Sequence, residues 1–168
     1  GIARRGRGSL PIGRTAVVVL ALSGGLVVHD AGVAAAGTVV HRTGTPYQEL
    51  RVVDRDLPLV ERPTRTLYLD GAPQSARYLD GPGYVLEYAR YFHLAVLMSE
   101  DVDRVLFIGG GGFSGPKRFV REYPNVTVDV VEIDPVVVRV AKEYFGVEES
   151  PRLNVYVADG REFLEGTN

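Results

Sequence analysis

The sequence predicts an α/β protein: a small N-terminal antiparallel β-domain followed by an incomplete parallel sheet flanked by helices. Three observations carry that prediction. Residues 38–80 are rich in β-branched and aromatic residues interrupted by turn signals. From Arg104 onward, short continuous apolar runs alternate with helix-like segments, as in a parallel sheet covered on both faces. Four consecutive glycines, Gly109 to Gly112, stand directly after the first of those runs.

Composition narrows the class. An apolar fraction of 45% and a charged fraction of 24% fit a globular chain and exclude both disorder and a many-span membrane protein. Cysteine is absent, so disulfides, thiolate metal sites and a Cys nucleophile are excluded. The three histidines, His29, His41 and His93, are too far apart to suggest a zinc site. Net charge is −2, and the first 37 residues hold four arginines and one aspartate, leaving −5 on the rest. An acidic body argues against a nucleic-acid partner.

Residues 1–37 read as a basic and apolar leader. Arg4, Arg5, Arg7 and Arg14 precede an uncharged stretch over residues 15–28. Fourteen residues is short of the roughly 20 needed to span a bilayer. The stretch therefore suits a signal-type segment or the end of a membrane region, with a poorly packed leader as the alternative. The expected location is the cytoplasm, or a membrane with the catalytic domain on its cytoplasmic side. A first residue that is Gly1 and a last that is Asn168 suggest a piece of a longer chain.

The β-domain is expected over 38–80, with strands at 38–43, 47–53, 64–70 and 74–79 and a turn at Asp70-Gly71. A Gly-Pro-Gly break at 81–83 separates it from the second domain, 81–168. Leu86, Tyr88, Ala89, Phe92 and Val96 recur at helical spacing, which predicts a helix over 84–98. Strands are expected at 104–108, 126–133 and 153–157. The intervening helices, 116–123 and 135–145, each open on a proline, where the missing N–H does no harm. A third helix begins near Asp159. With only three strands in the second sheet, the 104–108 strand is expected to present an unpaired apolar edge.

The candidate site lies at the carboxyl edge of that sheet. Gly110, Gly112 and Gly115 satisfy G-x-G-x-x-G between a strand and a helix, the context in which a glycine loop cradles a nucleotide. Glu132 ends the second strand, 23 residues after Gly109, where a carboxylate can accept hydrogen bonds from ribose hydroxyls. Asp159-Gly160 ends the third, where an acid can accept from an adenine amino group or cap the following helix. Asp134 is read only as a helix cap. Together these features predict a Rossmann-like domain binding an adenosyl ligand.

Thr45-Pro46-Tyr47-Gln48, Leu69-Asp70-Gly71-Ala72-Pro73-Gln74-Ser75, Ile108-Gly109-Gly110-Gly111, Val131-Glu132-Ile133-Asp134 and Asp159-Gly160 occur in this order. In this combination the chain resembles the spermidine synthase (polyamine aminopropyltransferase) family. The resemblance implies a β-domain packed on a class I methyltransferase-type sheet. It also implies decarboxylated S-adenosylmethionine as co-substrate, an amine such as putrescine as acceptor, and a homodimer. It places Gln48 and Gln74 along the donor's sulfonium and propyl group, Gly109, Gly110, Gly111 and Gly112 around the donor, and Glu132 at the ribose. Asp159 and Gly160 then stand at the adenine and Tyr84 near the acceptor amine. No catalytic residue is assigned within the sequence, because the family's catalytic Asp is expected after Asn168. Two departures stand out: Gly112 where the family carries an Asp, and Val85-Leu86 where it carries a polar and an acidic residue. The first keeps open S-adenosylmethionine as donor, hence a methyltransferase. A non-catalytic nucleotide-binding module is the third reading.

Overall fold

The computed structural model describes residues 15–18, 37–56, 62–97 and 102–166. Most of the leader, including the bulk of the apolar stretch at 15–28, lies outside the described residues. Among those described, no helix is long and apolar enough to cross a membrane.

The first sheet is a meander of β2 (Thr38–Gly44), β3 (Glu49–Arg55), β4 (Thr64–Leu69) and β5 (Ala72–Tyr78), paired antiparallel in chain order. Asp70 and Gly71 both take positive φ, 48° and 81°, forming the tight two-residue turn that the Asp-Gly pair signals. The β2–β3 turn is held by Thr45, whose Oγ1 accepts from the N–H groups of Tyr47 and Gln48 at 3.1 Å. Asp70 then ties the two turns together, its Oδ1 accepting the Glu49 N–H at 2.8 Å. The register between β4 and β5 shifts at Leu67/Tyr68, leaving Gln74 as the extra residue between Pro73 and Ser75. A bulge of this kind re-aims a side chain.

The second sheet is parallel, in the order β1-β6-β7-β8. Its strands β6 (Arg104–Ile108), β7 (Thr127–Glu132) and β8 (Leu153–Val157) stand where the apolar runs predict them. The expected unpaired edge is not found. β1 (Thr15–Val18), drawn from the leader, lies parallel to β6, with Thr15 opposite Arg104 and Val18 opposite Phe107. An apolar strand needs backbone partners on both sides, and Thr15-Ala16-Val17-Val18 is β-branched enough to supply one.

Helices α2 (Ser114–Glu122), α3 (Pro135–Phe145) and α4 (Gly160–Glu165) connect or follow these strands. Pro116 proves to be the third residue of α2 rather than its first, still within the turn whose N–H groups lack partners. The helix expected over 84–98 is instead a 3-10 segment, Glu87–His93, running into a short α1 (Leu94–Leu97). Its N-cap, Leu86, offers no side-chain acceptor. The aromatic rings of Tyr88 and Phe92 meet edge-on, and Phe92 is wedged against Phe107.

Three apolar clusters hold the layers together. Val105 and Phe107 of β6 face Phe119, Val138 and Ala141 on one side of the parallel sheet. Leu106 and Val131 face Phe163 of α4 on the other. The third joins the two sheets: Leu50, Val52 and Leu67 pack on Val137, Val140 and Phe145 of α3. Arg65 adds a clamp, meeting both Asp54 oxygens at 2.7 Å and the Tyr144 carbonyl at 3.0 Å.

Candidate functional site

Three loops leave the carboxyl edge of the parallel sheet side by side, and Glu132 organises the first two. Its Oε2 accepts from the N–H groups of Gly110 at 2.8 Å and Gly111 at 3.4 Å, while Oε1 accepts from Asp134 at 3.0 Å. The side chain is buried. A carboxylate has about four lone-pair directions, so capacity remains for a ligand hydroxyl. The carboxylate thus shapes the glycine loop.

The loop depends on glycine through conformation and space. Gly109 and Gly111 take φ of 90° and 50°. A Cβ on Gly110 would lie 2.4 Å from the Phe113 ring. Phe113 itself sits at φ 58° with its side chain wholly buried. A left-handed conformation costs a bulky residue roughly 1–2 kcal/mol, offset here by burial of the ring in the main core.

Gly112 looks different in space than in sequence. Its N–H donates to Ser75 Oγ at 2.8 Å, and an added Cβ would lie 2.8 Å from Ser75 Cβ and 3.0 Å from Phe145 Cδ1. A side chain at this position would therefore force Ser75 of the antiparallel sheet or Phe145 of α3 to shift.

Asp159 caps α4, its Oδ1 accepting from Arg161 at 2.8 Å and Glu162 at 3.1 Å. Oδ2 makes no hydrogen bond among the described residues, so capping and ligand contact are compatible. A Cβ on Gly160 would lie 2.5 Å from Ile108 Cγ2, which fixes that glycine by close approach to β6. Asp134 caps α3 through Oδ1, accepting from Val136 at 2.8 Å.

On the facing sheet, Gln48 and Gln74 lie at the end that carries the two linked turns. The Tyr88 hydroxyl donates to the Gln74 carbonyl. Burial raises the Tyr88 pKa, with a hydrogen bond to Ser75 opposing the shift. Tyr84 is placed elsewhere: its phenol bonds His93 Nε2, Arg118 lies 4.2 Å above its ring, and burial pushes its pKa up to about 12. Sequence reasoning passed over Tyr88, Ser75 and Ile133. Ser75 was visible only as the last letter of a matching string, and Tyr88 as one of the apolar positions of a helix. Ile133, 39% exposed beside Glu132, offers an apolar surface at the ligand edge.

Such an arrangement can hold an adenosyl group: backbone N–H groups and a carboxylate at one loop, a capping acid at the next, and a second sheet closing over the loop. Comparison with known proteins defines the class. Residues 88–168 match the model of the spermine/spermidine synthase domain. A polyamine aminopropyltransferase of Vibrio vulnificus (strain CMCP6) is 31% identical over 136 residues, 76% of this chain and 43% of that protein. A eEF1A lysine and N-terminal methyltransferase of Mus musculus is 37% identical over 68 residues, 40% of the chain and 10% of that protein. A probable spermidine synthase from Corynebacterium glutamicum ATCC 13032 superposes with a TM-score of 0.60 at 21% identity, covering 74% of this chain and 46% of the other, which shows a common fold. The chain is similar to the spermidine synthase family, and it spans less than half the length of these relatives.

Proposed function

We propose that the chain forms the donor-binding part of an enzyme that transfers an aminopropyl group from decarboxylated S-adenosylmethionine to an amine such as putrescine. The observation that carries this reading is the joint between the Leu69–Ser75 string and the glycine loop. Ser75 holds the Gly112 N–H, and Tyr88 holds the Gln74 carbonyl. Both donors carry a three-carbon chain on sulfur; what favours aminopropyl transfer is that this hairpin, which a methyltransferase-type sheet alone does not carry, is tied to the glycine loop.

In this reading Glu132 accepts the ribose hydroxyls, Asp159 Oδ2 accepts the adenine amino group, and Ile133 lies against the base. Gly109 to Gly112 border the sulfonium, and Gln48 and Gln74 flank the propyl chain. Tyr84 is the acceptor-side tyrosine by sequence position; the geometry favours Tyr88, which stands on Gln74. The acceptor nitrogen attacks the methylene beside sulfur, the C–S pair stays with sulfur as neutral methylthioadenosine, and the new ammonium sheds one proton. Alkylamines have pKa values of about 10, so a carboxylate base is required to keep the attacking amine neutral. This reading takes that base from beyond Asn168 and a second copy of the chain as partner. Methyl transfer from S-adenosylmethionine is the second reading, favoured by Gly112.

The test incubates the full-length protein with decarboxylated S-adenosylmethionine and an amine panel, and separately with S-adenosylmethionine. Amine-dependent methylthioadenosine, with an amine heavier by one aminopropyl unit, is the expected product by mass spectrometry. S-adenosylhomocysteine in its place would transfer the assignment to the methyltransferase.

A further inference from the structure

Behind the glycine loop, where β5 and the 81–83 turn approach α2, lies a cavity of about 200 Å³. Arg77, Lys117, Arg118 and Arg121 line it together with Gly112 and Ser114, and none of its lining residues is acidic. Lys117, Arg118 and Arg121 share one face of α2 with Ser114 by helical spacing. The carboxylates nearby answer only part of this charge. Glu122 pairs with Arg118 and, at 3.6 Å, with Arg121. Asp80 is taken up by Arg62. Arg77 has no ion pair among the described residues, and its Nε is shut from solvent without a hydrogen-bond acceptor. Lys117 donates to the Phe145 carbonyl at 2.6 Å, and burial and the neighbouring Arg77 push its pKa down. Helix α2 has neither a side-chain N-cap nor an acid in its first turn.

Like charges gathered in a concave, partly desolvated place repel one another unless an anion joins them. Arginine forks and a helix N-terminus are both suited to oxyanions. A water molecule occupies about 30 Å³, so the space admits a tetrahedral or planar oxyanion with solvent to spare.

We infer that this cavity is an oxyanion site, built by Arg77, Lys117 and Arg121, for a phosphate or carboxylate group. The chemistry has two sources: a carboxylate on the donor reaching past Gly112, or a separate oxyanion-bearing ligand. The first requires S-adenosylmethionine itself as donor, because its decarboxylated form has no carboxylate; the second does not depend on which group the enzyme transfers.

The experiment titrates the full-length protein with inorganic phosphate by calorimetry. Saturable binding is expected, weakened about tenfold in Arg77→Gln and in Arg121→Gln, the scale of a lost hydrogen bond to a charged group. Arg121 is more than half exposed, so its variant keeps the fold if Arg77→Gln does not. Absence of saturable binding, or phosphate affinity unchanged in a folded variant, overturns the site. A second arm repeats the titration with adenosyl ligands present. Phosphate competing with S-adenosylmethionine but not with its decarboxylated form assigns the site to a donor carboxylate. Phosphate indifferent to both assigns it to a separate ligand. Phosphate binding in a protein that makes no aminopropyl product would overturn the proposed function while leaving this site standing.

Discussion

The two sheets solve the same burial problem in opposite ways. In the parallel sheet both faces are covered, and Val105, Leu106, Phe107, Val128, Val130 and Val131 are all at most 1% exposed. The antiparallel sheet is less evenly covered: Leu50, Val52 and Leu67 are wholly buried, whereas Val39 on its edge strand and Tyr47 in the turn that follows are about half exposed. Its buried residues, Leu50, Val52 and Leu67, have no second layer of their own and take it from α3. The parallel sheet is therefore a framework, whereas the antiparallel sheet exists as a cover because the framework lends it a core. The candidate site forms where cover meets framework, at Ser75 and Gly112.

The largest effect is expected where the core is shared. Phe145→Ala should cost about 3–5 kcal/mol and lower donor affinity as well, because Phe145 also abuts Gly112. Chemical denaturation should show one transition moving as a whole. An antiparallel sheet melting separately, with the framework unchanged, would break the comparison. Next is Gly112→Asp. If Gly112 marked only a change of donor, the acid would improve use of the decarboxylated donor. The contacts with Ser75 and Phe145 instead predict overpacking worth about 1–3 kcal/mol and weaker binding of either donor, read by thermal melting and by calorimetry.

A smaller effect separates two roles of Asp159. Asp159→Ala should lose about 1 kcal/mol with the helix cap. Asp159→Asn can keep the cap through its amide oxygen, so its stability should stay near that of the native protein. If the acid also meets the adenine, the Asn variant still loses donor affinity several-fold. Equal affinity for Asn and Asp would leave a cap alone.

The smallest concerns pH. Burial, opposed by Glu122, holds His93 below its ordinary pKa. The unfolded chain then binds the proton more readily, so stability is complete above about pH 6.5 and falls as the pH drops below it. A His93→Asn variant should flatten that part of the melting-temperature profile. An unchanged profile would move the cause elsewhere.

What could be read from the chain beforehand follows the range of the forces involved. The glycine loop, Glu132 and Asp159 were legible because each is demanded locally, by backbone angle, strand end or helix start. Ser75 was not, since its bond to Gly112 joins positions 37 apart. Tyr88, read only as an apolar helix position, meets the Gln74 carbonyl from a segment that is 3-10 rather than the expected α-helix. The pairing of Thr15–Val18 with β6 was hidden because four β-branched and small residues in an uncharged run carry no address; the partner is chosen by the open edge, not by the strand.

Phe113 has a further consequence. A buried ring locked in a left-handed backbone, with Gly110 pressed beneath it and Glu132 gripping two loop amides, leaves the loop little freedom to rearrange. The seat proposed for the adenosyl group is thus cast before a ligand arrives, and its ordering entropy is spent during folding rather than at each encounter. Ligand-free and ligand-bound forms should superpose through residues 109–113, with turnover paced by the chemistry or by release rather than by closure of this loop.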